Sequence, residues 1–246
     1  MMWVLTGMTV LALLVIAVMV KDIARTPVVA RPEALFVPAR TTVPASPRPK
    51  ASRSTQASAS PTGSAPDGQV TDGSSGLSYL LLSAPWRPGC PGALNTPMLS
   101  WSAGESAIAG SALIAGSATD WYGNACSAPL QQQFQYSGVF DLEPTAMSLV
   151  EALDLAYYSG LPHYRTIEAS SEIQVSGHPA WMVTFLMTYP DAAAQGLAWT
   201  SEAGAVVVVD RGGGRAPAVF YASVPSNLGI SAVDLLIASL RLSSLA

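Results

Sequence analysis

An uninterrupted apolar run over residues 2–20, MWVLTGMTVLALLVIAVMV, decides which solvent the rest of the chain folds in. A helix rises 1.5 Å per residue, so about 20 apolar residues cover a hydrocarbon core, and the run is long enough to span one. A cleaved signal peptide has a basic n-region, a shorter apolar core and a small-residue cleavage site. Here no Lys or Arg precedes the run, which ends in Met19 and Val20 before Lys21 and Asp22. Residues 1–21 are therefore expected to be retained as a transmembrane signal-anchor helix. The two cysteines, Cys90 and Cys126, lie too far downstream to carry a lipid anchor.

The charges beside the span point the other way. Lys21, Arg25, Arg31 and Arg40 follow it, and basic residues normally stay cytoplasmic. Long domains, however, translocate largely regardless of flanking charge. Residues 22–75, rich in Pro, Ser, Thr and Ala, cannot bury enough apolar surface to offset chain entropy, and read as a disordered, semi-stiff linker. The expected arrangement is one span at 1–21, a linker at 22–75 and a domain at 76–246 held outside the cell membrane.

Charge divides along the same line. Residues 21–75 carry seven basic side chains against four acidic ones, a net of +3. From Gly76 onward five arginines face twelve carboxylates, a net of −7, with no lysine at all. An acidic domain without a basic patch has nothing to neutralise phosphates, which excludes a nucleic-acid surface. In an exported domain two cysteines read as a disulfide, so Cys90 and Cys126 are expected to be bridged. They are not expected to bind metal, because nothing nearby supplies further ligands.

Within the domain, residues 77–82 predict a first strand, broken by the prolines and glycines of residues 85–92. The segment Ile108-Ala109-Gly110-Ser111-Ala112 is echoed at Ile114-Ala115-Gly116-Ser117-Ala118, small residues suited to a strand lying close under another element. An acidic start with Pro144 in the first turn predicts a helix over 145–158, with Leu149, Val150, Leu153 and Tyr157 on its apolar stripe. Strands follow at 164–175 and 180–188, the second apolar on both faces and hence covered on both. A hairpin over 204–210 and 216–223 has a glycine-rich tip, Arg211-Gly212-Gly213-Gly214-Arg215. Those glycines lie between two strands, where a hairpin tip needs positive φ, and not before a helix, where a phosphate cradle would need them. The last helix carries Val233, Leu236, Ile237 and Leu240 on one stripe, with Ser231 and Asp234 as a capping pair.

The turn Gly177-His178-Pro179-Ala180 between two central strands, and the helix ending Ser239-Leu240-Arg241, resemble the exported PsbP-like α/β domains, including the LpqN-type proteins of actinobacteria. The resemblance covers residues 77–242 in outline. It implies an α/β fold of the α+β type, an antiparallel sheet flanked by helices, used as a non-catalytic binding or accessory module.

No motif assigns a chemistry. No Gly-x-Ser-x-Gly elbow is present, and serine is common enough that either histidine, His163 or His178, would have one nearby. His178 reads as a turn residue, and His163 as a partner of the preceding helix end. Glu168 with Glu172, and Glu151 with Asp154, read as solvated faces. Catalytic residues, a metal and a cofactor are not expected. Among the aromatics, Trp181 and Tyr157 suit the core, whereas Trp121 and Tyr122, beside Asp120 and Gly123 in an expected loop, are the candidate ligand contacts. The sequence thus reads as a membrane-anchored extracytoplasmic binding module for an envelope ligand or protein partner, with an envelope hydrolase or a purely structural component as the other classes.

Overall fold

Val206, Val207, Val208 and Val209 are all fully buried, which a strand achieves when both of its faces are covered. They belong to the central region of a sandwich seen in the computed structural model, which describes residues 68–243. The elements in chain order are β1 Gln69–Thr71, β2 Leu77–Leu80, β3 Arg87–Pro88, β4 Ala103–Ile114 and β5 Ser117–Pro129. Helix α1, Leu142–Leu153, runs on into a π turn, Asp154–Tyr158. Then come β6 Tyr164–Val175, β7 His178–Thr188, β8 Ser201–Val209, β9 Ala218–Pro225, α2 Ala232–Ser239 and β10 Arg241–Leu242.

Seven strands form one antiparallel sheet in the order β3-β4-β5-β9-β8-β7-β6. Period-two alternation along β8 sends Val206 and Val208 to one face and Val207 and Val209 to the other. The first face packs under α1 and the π turn, through Leu149, Val150, Leu153 and Tyr158. The second lies under α2 and a small sheet ordered β1-β2-β10, through Leu77, Tyr79, Leu236 and Leu240. The expected antiparallel sheet with flanking helices is the observed architecture. Its open edge, β6, carries a bulge between Ile167 and Ala169, and such bulges discourage edge-to-edge pairing.

Local expectations fare unevenly. The hairpin tip has φ of 63°, 63° and 70° at Gly212, Gly213 and Gly214, as a glycine-built turn requires. The first copy of the echo lies in β4, where a Cβ at Gly110 would sit 3.3 Å from the Trp199 ring. The second copy runs through the β4–β5 turn at Ala115 and Gly116. The expected linker to residue 75 reaches too far: Gln69–Thr71 is a strand, and Asp72 and Ser75 are buried in the turn after it. Polar residues that serve as a turn hub, with Ser75 donating to Asp72 at 2.6 Å, leave no apolar signal to read. Ser231 precedes α2, but its side chain makes no capping bond. Among the described residues no helix is long and apolar enough to cross a membrane. The expected span at 1–21, and the linker up to residue 67, lie outside the described residues.

Candidate functional site

Two places on the domain gather chemistry: a carboxyl sealed in the core and an open groove at one end of the sheet. The carboxyl is Glu202, near the start of β8 and 2% exposed. Its Oε2 accepts from Trp121 Nε1 at 2.9 Å and from the Tyr189 hydroxyl at 3.0 Å. Oε1 accepts from the Tyr158 hydroxyl at 3.1 Å and contacts the Ser223 hydroxyl. Tyr158 in turn lies 2.7 Å from the Tyr221 hydroxyl and 2.6 Å from Ser223 Oγ. Burial pushes the Glu202 carboxyl above the usual carboxylate range, while the four hydrogen bonds pull the other way.

Five segments meet at this carboxyl, and each arrives for a local reason. The widening of α1 into a π turn advances the face by one position, so Tyr158 is buried at 1% exposure and Tyr157 moves to the side. There Tyr157 donates to the Leu94 carbonyl and accepts from Trp101 Nε1 at 3.0 Å. Trp121 is 8% exposed and lies in strand β5, not in a loop, so the expected exposure is not found there. Its ring stacks on Trp199 with centroids 5.6 Å apart, and its one N–H is committed to Glu202. Tyr122 is half-buried and reaches Asp120 at 3.5 Å. Trp181, expected in the core, is half-buried and donates to Ser170.

Beside this cluster the His163 ring is tilted against Tyr158, with ring centroids 5.9 Å apart. Its Nε2 lies 2.7 Å from Asp154 and its Nδ1 2.7 Å from the Leu161 carbonyl. Both ring nitrogens are thus engaged within the fold. Asp154 also accepts from Arg165 at 2.6 Å, and Glu151 pairs with the same guanidinium. The four groups pin β6 to the end of α1. His178 contacts the Asp210 carbonyl at 3.2 Å.

On the other side of the sheet a second acid, Glu105, is fully buried, accepting from the Leu82 N–H at 2.8 Å with Oε2. Burial raises its pKa to about 7, against the pull of that hydrogen bond. On neighbouring β5 lies the expected bridge, Cys90 to Cys126, closing a separation of 36 residues. It crosses directly over Gly104, where a Cβ would come within 2.1 Å of Cys90 Sγ and 2.6 Å of the Ala125 carbonyl.

The groove runs between residues 130–141 and the β8–β9 tip. Its main part holds about 1100 Å³, and a second part of about 530 Å³ adjoins it across Leu130, Gln131, Gln132 and Gln133. Trp101 lines the second part, and Phe134, Tyr136 and Ser148 the first. Phe140, two residues beyond Gly138 on the rim, is 95% exposed. The charged groups here are internally engaged. Asp141 accepts from Ser137 N and Oγ, Asp210 Oδ1 from Gly212 N, and Arg215 donates to the Arg211 and Gly212 carbonyls. The Tyr136 hydroxyl is buried and meets no partner at full hydrogen-bonding geometry among the described residues, and burial together with nearby Asp210 pushes its pKa up to about 12.

Neither place was marked by the sequence reading. The predicted hairpin strand begins at residue 204 and so leaves Glu202 outside, where one carboxylate among twelve has nothing to single it out. The glutamine run 131–133 was the one available signal for the groove.

No protein-family model matches the sequence, and no curated protein matches it. Among solved structures, the chain is similar to the solution structure of cyanobacterial PsbP (CyanoP) from Synechocystis sp. PCC 6803. Identity is 10%, coverage is 75% of this chain and 100% of that chain, and the TM-score is 0.46. That is a likeness of outline, and no property of that protein is carried over from it.

Proposed function

We propose that the chain is an extracytoplasmic binding module, tethered to the cell membrane by residues 1–21, that takes an envelope ligand or protein partner in the groove beside the β8–β9 tip. The observation that carries this reading is the groove itself, an open trough whose two parts share four residues; Gln131 and Gln133 tie its wall to the Ser100, Pro129 and Met98 carbonyls, while the Gln132 and Gln135 amides make no side-chain hydrogen bond among the described residues. The disulfide supports an oxidising compartment, and the acidic, lysine-free domain supports a partner other than nucleic acid. On this reading the chain stands with the LpqN-type members of the PsbP-like domains, whose strand turn and helix ending it matches.

Two measurements on intact cells test it. Protease added outside is expected to digest the domain, with Cys90 and Cys126 labelled by a thiol reagent after reduction alone; protection from protease with freely labelled thiols overturns the topology. A photo-crosslinking residue at Gln132 is expected to capture an envelope component, while one at Glu172 on the β6 edge is not. Absence of capture at Gln132 overturns the groove as the binding site.

A further inference from the structure

We infer that the groove binds a neutral, linear glycan, an inference that rests on the binding-module reading. The carboxylates and guanidinium in the groove are already committed to neighbouring main-chain and hydroxyl groups. What remains is uncharged: the Gln132 and Gln135 amides have no side-chain hydrogen bond among the described residues, and the Tyr136 hydroxyl, buried beside Asp210, meets no partner at full hydrogen-bonding geometry among them. An amide offers two donors and an acceptor side by side, which matches vicinal hydroxyls of a sugar ring and gives an ionised group nothing to pair with.

Shape and apolar surface agree with this. Trp101 presents an aromatic ring in the adjoining part of the groove, held on its other side by stacking on Tyr221 at 5.6 Å, a platform for the C–H face of a sugar. Two adjoining troughs that share four wall residues suit a chain of several residues better than a single ring. An extended peptide would seek a free strand edge, yet Pro129, Pro144 and Pro217 on the walls have no N–H to donate, and the sheet's open long edge, β6, does not line the groove.

The test uses the full chain in a zwitterionic detergent without a sugar headgroup. Saturation-transfer NMR is run with linear hexasaccharides of glucose, mannose and arabinose, and with a hexamer of galacturonic acid as the anionic control. At least one neutral hexamer is expected to bind at least tenfold more tightly than the anionic one. The double variant Gln132→Ala and Gln135→Ala, at exposed positions, is expected to weaken that binding at least tenfold with unchanged urea unfolding, while Gln174→Ala on β6 leaves it as it is. Equal binding of the anionic hexamer, or indifference to the double variant, overturns the inference. If no saccharide binds but the Gln132 crosslinker captures a protein, the glycan falls and the groove stands; if neither gives a signal, both fall.

Discussion

The Tyr158 hydroxyl lies 3.1 Å from Glu202 Oε1, so a side chain from the last turn of a helical segment closes on a carboxyl near the start of β8. Removing the hydroxyl in Tyr158→Phe leaves one carboxyl oxygen short of a donor, and strands the Tyr221 hydroxyl as well. The expected loss is about 1–3 kcal/mol in urea unfolding, because the orphaned groups are buried. Glu202→Leu, which removes the acceptor from four donors at once, is expected to cost more than Tyr158→Phe.

Glu105 makes stability depend on pH. Its folded value of about 7 stands above the ordinary 4.5, so the folded state holds a proton that the unfolded state has lost between those values. Stability from this group is therefore present below pH 4.5, falls as pH rises, and is gone above about 7. Glu202 is shifted in the same direction and adds the same sign. The domain is expected to resist urea better at pH 5 than at pH 8, and Glu105→Gln to flatten the profile by about 1–3 kcal/mol. A profile unchanged by that substitution contradicts a buried neutral acid at this position.

Gly104 admits no side chain. A methyl group there meets both a disulfide sulfur and a main-chain carbonyl at well under contact distance, and the carbonyl cannot rotate away. Gly104→Ala is expected to prevent the bridge from closing, so that both cysteines become labelled without reduction. Gly213→Ala makes the control: open space surrounds it, and its cost is the strain of a φ of 63°, about 1 kcal/mol.

Loss of the bridge itself acts on the unfolded chain. With a separation of 36 residues, Cys90→Ser with Cys126→Ser is expected to cost about 3–4 kcal/mol. Denaturant midpoints of the oxidised protein and the double variant measure it.

The sheet was readable where residues repeat a period, and the polar interior was not. The strands at 164–175 and 180–188 and the glycine tip follow from apolar runs, turn residues and φ requirements, which are local; the second strand begins two residues earlier than expected, at His178. Glu202 depends on partners 44 and 81 residues away in sequence, Tyr158 and Trp121, and no local pattern encodes such a meeting. Tyr158 was hidden for a further reason. A 3.6-residue period assigns Tyr157 to the buried stripe, and one extra residue in a π turn hands the place to its neighbour. Trp121 looked exposed because Asp120 and Gly123 mark loops in general; here both lie inside the long hairpin strand β5, whose tryptophan turns inward.

Strand β2 is bracketed by both ends of the described chain, β1 on one side and β10 on the other, and Ser239 adds a bond to Leu80 across 159 residues. During synthesis β2 emerges early and must wait for almost the whole domain before its second neighbour exists. A chain cut short before Arg241 leaves β2 half-paired, offering a quality-control protease a flaw confined to one small sheet.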